Sequence, residues 1–89
     1  MLNNVKNILN NIYIIISRNR ITLQIEFKMP KFGYSSDVYD AGLFDLNFVE
    51  QQPFPILKYE DICKGKGNYY AEYALSVSDF IKLGVEPIK

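Results

Sequence analysis

Apolar and polar side chains alternate strictly over residues 21–29, which is the clearest periodic pattern in the chain. The apolar positions are Ile21, Leu23, Ile25, Phe27 and Met29. Because successive side chains of an extended strand point to opposite faces of a sheet, this pattern predicts a β-strand with one buried face. The strand is expected to end at Pro30, which has no N–H to donate to a neighbouring strand.

The residues before this strand predict a helix and a further strand. Apolar side chains recur at helical spacing at Leu2, Val5, Ile8, Leu9 and Ile12. A short amphipathic helix is therefore predicted over residues 2–12. The apolar run 13–16 predicts a strand, and Arg18 and Asn19 are expected to close a two-residue hairpin between the two strands, although they lack the glycine that such turns prefer.

Two more strands are predicted in the middle of the chain. Residues 43–50 alternate again, with an inner side formed by Phe44, Leu46 and Phe48. Pro53 and Pro55 then interrupt the chain, and residues 56–63 predict a fourth strand with both faces partly apolar.

The last third of the chain fits two different structures. As a helix, it would begin at the N-cap Asn68, bury a face of tyrosine and aliphatic side chains, and end before Gly84. As a strand, it would cover residues 69–77 and continue into a short helix capped by Ser78. The long helix is favoured because cap, buried face and stop signal agree.

These elements predict a single α+β domain that covers residues 1–89. The sheet is expected to have three or four mainly antiparallel strands. One helix from each end of the chain is expected to pack on the same face of that sheet. A chain of this length buries roughly 60–68 % of the surface that its unfolded form exposes, so it can hold only one modest core.

The net charge is zero, but the charges are distributed unevenly. Residues 1–32 hold five basic side chains and one acidic side chain, residues 33–62 hold one basic and six acidic side chains, and residues 63–89 hold four basic and three acidic side chains. A surface with both signs favours a protein partner and disfavours nucleic acid, which usually calls for a basic face. Mutual neutralisation of the segments within the fold is the alternative explanation.

Catalysis is disfavoured because the chain has no histidine and a single cysteine, Cys63. Histidine is the side chain whose unperturbed pKa lies near neutral pH, and a nucleophilic cysteine needs a neighbouring activating group. Four Cys and His ligands for structural zinc are not present, and the spacing of Asp37, Asp40 and Asp45 does not fit a calcium loop. We therefore predict no catalytic residue, no metal site and no cofactor.

The sequence FGYSSDVYDAG, residues 32–42, is the strongest candidate for a binding loop. Tyrosine provides rigid amphipathic contact area, whereas serine and glycine provide adaptable backbone, and this combination is typical of protein-binding loops. The partner-binding residues are predicted to be Tyr34, Ser35, Asp37, Tyr39 and Asp40. The alternative is a plain connection in which serine and aspartate cap one helical turn.

A second candidate lies in the sequence KGKGNYY, residues 64–70. Lysines, glycines and tyrosines that precede a predicted helix could bind an anion, or the tyrosines could stack on the bases of nucleic acid. The residues concerned are Lys64, Lys66, Gly67, Tyr69 and Tyr70. The hydroxyl and third glycine of known phosphate loops are missing, so a simple turn made by glycine is the favoured interpretation.

The sequence thus predicts a protein-binding accessory or inhibitor protein without catalytic activity, and a small nucleic-acid-binding protein is the alternative. Its partner would be another protein or a second copy of the chain, since a small core gains from association. The lone cysteine and the short, interrupted apolar run 8–16 predict a cytoplasmic protein with no membrane association. Frequent Ile, Asn, Lys and Tyr indicate an AT-rich genome, where such small proteins often belong to mobile elements.

Overall fold

The computed structural model describes residues 7–85, which form an α+β fold with one mixed sheet. The strands are β1 Ile12–Arg18, β2 Ile25–Lys28, β3 Tyr34–Ser35, β4 Phe44–Asp45, β5 Ile56–Leu57 and β6 Glu72–Ser76. The helices are α1, described over residues 7–10, α2 Leu46–Glu50, α3 Tyr59–Cys63 and α4 Val77–Val85. Single 3-10 turns cover Val38–Asp40 and Lys66–Tyr69.

Strand β1 lies at the centre of the sheet, whose order is β3-β2-β1-β6-β5. Strand β6 pairs along one edge of β1, so β2 and β4 share the other edge, with β4 next to the beginning of β1. All pairs are antiparallel except β5 with β6. That pair is parallel because α3 and the second 3-10 turn carry the chain back across the sheet. The sheet therefore has six strands, and the prediction of three or four was too low.

Both faces of the sheet are covered, which corrects the prediction that helices pack on one face only. On the first face, the buried side chains Ile15, Val49 and Ala74 form a cluster with Tyr13, Phe44, Phe54 and Ile56. On the second face, the buried side chains Ile14, Ile16, Phe27 and Leu75 form a cluster with Ile62, Tyr73, Val77, Phe80 and Leu83 among others. Helix α2 thus covers one face and helices α3 and α4 cover the other. Because both faces of β1 are buried, its residues form a continuous apolar run and not an alternating one.

The strand predicted over residues 21–29 is shorter than expected. Only Ile25–Lys28 is extended, because Asn19 builds a turn instead of a two-residue hairpin. The Asn19 side-chain oxygen accepts hydrogen bonds from the N–H groups of Ile21 at 2.9 Å and Thr22 at 3.0 Å. Side chain to backbone bonds of this kind compete with strand pairing. Leu23 adopts a left-handed φ of 62° in this turn, which interrupts the predicted alternation before Ile25.

The third and fourth predicted strands each become helical after two residues. At the start of α2, the carboxylate of Asp45 accepts a hydrogen bond from the Phe48 N–H at 2.8 Å. At the start of α3, the carboxylate of Asp61 accepts one from the Lys58 N–H at 2.9 Å. These aspartates satisfy N–H groups that a helix leaves without partners, so capping overrides the alternating pattern.

The long C-terminal helix was also predicted wrongly, and the strand-then-helix alternative is closer to the structure. Residues 72–76 form β6, which lies between β1 and β5. Helix α4 follows at once, and its first turn is capped by Ser76, whose hydroxyl accepts a hydrogen bond from the Asp79 N–H at 3.1 Å. In the predicted N-terminal helix, residues 7–10 are helical and Ile12 already belongs to β1, while residues 2–6 lie outside the described part.

Across residues 7–85, none of the helices combines the length and the apolar content that crossing a lipid bilayer requires.

Candidate functional site

The predicted binding loop is held together by its own polar side chains. The Ser35 hydroxyl donates to the Asp40 carboxylate at 2.8 Å and accepts from the Asp37 N–H at 3.0 Å. The Asp37 carboxylate in turn accepts from the Tyr39 N–H at 2.9 Å, which caps the 3-10 turn Val38–Asp40. Three of the five predicted partner-binding residues thus fix the shape of the loop.

The two ends of this loop are joined to each other through the backbone. The Gly42 N–H donates to the Lys28 carbonyl at 2.8 Å. A Cβ atom at Gly42 would lie 3.0 Å from the Pro30 Cα and 2.7 Å from the Phe44 ring, so a larger residue would force the ring and the neighbouring backbone to shift. The loop therefore has a fixed base beside β2.

Tyr39 is the most exposed aromatic side chain of the loop 32–42. Its exposed fraction is 93 %, although its own N–H is hydrogen-bonded. Other large apolar side chains on the same stretch and its flanks are also exposed, namely Phe32, Val38 and Leu43. Exposed apolar groups that cluster along the chain are typical of interaction surfaces.

Tyr34 has a different position from Tyr39. It lies on the edge strand β3, and its hydroxyl donates to the carboxylate of Glu72 on β6, so the two side chains together span β2 and β1, which lie between them. The Lys28 Nζ lies 5.7 Å from the centre of its ring. Partial burial, together with the hydrogen bond and negative charge of Glu72, raises the pKa of Tyr34 to about 12. Tyr34 is therefore held by the sheet.

We expect Tyr34 to ionise well above pH 10, the ordinary pKa of tyrosine. Its folded pKa lies above the ordinary value of 10, so the stability that it contributes is present below pH 10 and is lost as the pH rises towards 12. Absorbance titration of Glu72→Gln should show one tyrosine returning towards pKa 10, because the substitution removes the charge. An unchanged titration curve would contradict the Tyr34–Glu72 contact.

The lysines and glycine of the second candidate are engaged in local structure. The Lys66 Nζ forms an ion pair with Asp61 at 3.4 Å. The hydrogen bond from the Lys58 N–H and, to a smaller extent, the charge of Lys66 lower the pKa of Asp61. Gly67 is buried, and a Cβ there would lie 3.2 Å from the Tyr73 hydroxyl. Lys64 is exposed at the end of α3, and Gly65 after it has a left-handed φ of 81°.

Tyr69 and Tyr70 line a cleft together with Arg18 and Arg20, two residues that the sequence did not indicate as site residues. This cleft of about 240 Å³ separates the turn after β1 from the segment before β6. We call it the arginine–tyrosine cleft, and its lining residues are Arg18, Arg20, Leu23, Asn68, Tyr69, Tyr70 and Ala71. No periodic or local signal links Arg18 to Tyr69, because only the pairing of β1 with β6 brings them together.

An apolar cavity of about 280 Å³ lies between the second face of the sheet and α4. Its lining is almost entirely carbon, from Ile16, Ile25, Phe27, Phe80 and Leu83 among others. Within residues 7–85, no three Cys, Asp or Glu side chains are grouped in a way that could hold a metal ion, and Cys63 is exposed.

Comparisons of the chain with protein-family models, with curated proteins and with solved structures found no match. A function for this protein must therefore come from the geometry of the loop and the cleft.

Proposed function

We propose that the protein binds another protein through the loop of residues 34–40 and acts as an accessory or inhibitor protein without catalysing a reaction. The observation that carries this proposal is the side chain of Tyr39, which is 93 % exposed on a backbone fixed by hydrogen bonds. Tyr39 is the anchor of the interaction. The side chains of Ser35, Asp37 and Asp40 hold the loop in the shape that presents it.

A rigid loop loses little conformational entropy when it binds. Ordering a mobile side chain at an interface costs about 0.5–1.5 kcal/mol, and a loop that is already ordered avoids much of this cost. Tyrosine has only two side-chain torsions, so its large contact area is obtained at low entropic cost. The fixed loop and its exposed tyrosine together support a binding role.

The charge of the loop indicates the chemistry of the partner surface. Residues 34–43 contain Asp37 and Asp40 and no basic side chain. Both carboxylates already accept one hydrogen bond within the loop, and each has remaining acceptor sites that face solvent. The complementary surface is an apolar pocket for Tyr39 with basic residues at its rim.

We expect Tyr39→Ala to weaken the complex with the partner protein by about 2 kcal/mol or more, roughly 30-fold, because a buried aromatic anchor carries much of the binding energy. The partner is first identified by its enrichment in pull-downs with the wild-type protein over pull-downs without bait, and its affinity for the purified wild-type and variant proteins is then measured by calorimetry. Thermal unfolding of the variant should match the wild type, since the exposed ring contributes little to the fold.

Tyr69→Ala is the matched control because Tyr69 is a similarly exposed tyrosine outside the loop. It should retain full affinity for the partner. The proposal is wrong if Tyr39→Ala binds as tightly as the wild type, or if both variants lose the complex equally. Sedimentation analysis covers the case in which the partner is a second copy of the chain: dimers that dissociate in Tyr39→Ala and persist in Tyr69→Ala support the same loop.

A further inference from the structure

The arginine–tyrosine cleft is separate from loop 34–40 and combines two cations with two aromatic rings. Arg18 is the last residue of β1, and its N–H donates to the Ala71 carbonyl at 3.0 Å. Its guanidinium donates to the Asn68 side-chain oxygen at 2.7 Å. A guanidinium has five N–H donors, so this bond orients the group and leaves donors for a ligand.

The charge of Arg18 is not neutralised by this contact, since Asn68 is neutral. Among the described residues 7–85, the ion pair that forms is Lys66 with Asp61, and neither arginine of the cleft takes part in one. Both arginines belong to the N-terminal third of the chain, which has an excess of basic residues. The cleft is therefore locally cationic although the chain as a whole is neutral.

Arg20 is carried by a well-ordered turn. The Asn19 side chain accepts hydrogen bonds from two backbone N–H groups of this turn. The Leu23 N–H donates to the Asn19 carbonyl, and the Asn19 N–H donates to the Gln24 carbonyl, both at 2.8 Å. To close this turn, Leu23 adopts a left-handed backbone conformation, which is less favourable for leucine than for glycine. The turn carries Arg20 to the cleft that Tyr69 and Tyr70 also line.

Tyr69 and Tyr70 form the wall of two adjoining clefts. Tyr69 is 78 % exposed, and both tyrosines also line a second cleft of about 370 Å³ next to Pro53, Phe54 and Glu72. An extended ligand could therefore pass over the two rings from one cleft into the other. The carboxylate of Glu72 would repel phosphate at the far end, so phosphate is expected on the arginine side.

We propose that this surface binds single-stranded nucleic acid, with one phosphate on Arg18, a neighbouring phosphate on Arg20 and a base stacked on Tyr69 or Tyr70. Arginine recognises phosphate through paired N–H donors, and exposed tyrosines provide stacking platforms that accept any base. An open cleft with rings beside cations suits a flexible strand. The proposal places the cations on the arginines and not on Lys64 and Lys66.

Fluorescence anisotropy with a labelled oligothymidylate of about ten nucleotides tests the proposal. We expect saturable binding at about 50 mM salt and a slope of log K against log salt of about −1.4, which corresponds to two phosphate contacts on a single strand. Arg20→Gln should weaken binding and reduce the magnitude of that slope by about 0.7. Tyr69→Ala should weaken binding about 5- to 150-fold, which corresponds to the loss of one stacked base.

Two controls separate the cleft from the rest of the surface. Lys31→Gln removes an exposed cation and Tyr39→Ala removes an exposed tyrosine, both outside the cleft, and neither should change the affinity. An oligonucleotide of the same length without bases should bind much more weakly than the oligothymidylate. Thymidine monophosphate should compete only at far higher concentration than the oligonucleotide, which distinguishes a strand from a nucleotide in solution.

Several results would overturn the proposal. One is the absence of saturable binding at protein concentrations up to about 100 µM. Equal binding of the oligonucleotide with and without bases, or equal losses in Tyr69→Ala and Tyr39→Ala, would rule out stacking in the cleft. A phosphotyrosine peptide that displaces the oligonucleotide more effectively than unlabelled oligonucleotide does would assign the cleft to a protein ligand.

Discussion

Ile14→Ala and Ile15→Ala should each lower the free energy of unfolding by about 2–5 kcal/mol, although the two residues are adjacent in sequence. Ile14 belongs to the cluster under α3 and α4, whereas Ile15 is fully buried under α2. Each substitution removes buried carbon atoms and leaves a cavity that neighbours fill incompletely. A domain of this size has a stability of roughly 4–13 kcal/mol, so either loss is a large fraction of the total.

Urea denaturation followed by circular dichroism measures both effects. Ile21→Ala is the matched control because Ile21 is 93 % exposed, and its cost should stay below about 0.5 kcal/mol. In a sheet with only one covered face, one of the two neighbouring isoleucines would be exposed and inexpensive to replace. If either Ile14→Ala or Ile15→Ala left the free energy of unfolding unchanged, helices would not cover both faces of the sheet.

Val49→Asp should be more destabilising still, with a loss of about 4 kcal/mol or more. Val49 is the side chain through which α2 contacts Ile15 and Ala74, and it is almost completely buried. An ionised carboxylate has no partner in this apolar cluster, so burial raises the pKa of the introduced carboxyl. The part of the penalty that comes from ionisation is therefore absent at a pH below about 3.9, the ordinary carboxyl pKa, and grows as the pH rises above it, whereas the cost of burying a polar group remains at every pH.

Val49→Asn separates the charge from the polarity of the new group. The amide has nearly the same shape and does not titrate, so its cost should not change between acid and neutral pH apart from the background shared with the wild type. Unfolding measured over this pH range for the three proteins gives the comparison. A difference between Val49→Asp and Val49→Asn that does not grow with pH would show that α2 does not bury residue 49.

The sequence predicted those elements whose signals are local. The apolar run 13–16 is the centre of β1, and Ile25 and Phe27 lie on the strand expected there. The loop 32–42 contains the helical turn capped by aspartate that belongs to the alternative of a plain connection. In each case neighbouring residues determine the backbone. The proposed roles of Tyr39 and of the second candidate stay predictions.

The wrong predictions of secondary structure have two physical causes: side chains that cap helices, and pairing between strands that are distant in sequence. Asp45 and Asp61 start helices within segments whose alternation predicts strands. Residues 72–76 have a helical pattern, yet pairing with both β1 and β5 makes them a strand, because the interior positions of a sheet bury such side chains on two faces. The contact of Arg18 with Asn68 depends on the same pairing, so no local pattern could reveal the cleft.

The pairing of β1 with β6 also governs when the protein can fold. Tyr13 pairs with Ser76 and Ser17 with Glu72, so the two central strands come from opposite ends of the described chain. A chain whose main contacts are so far apart in sequence must close a long loop before those contacts form, which places folding in the slower range for small domains. During synthesis on the ribosome, the edge of β1 that pairs with β6 stays uncovered until residue 76 has left the exit tunnel, although β2 and β4 are made earlier.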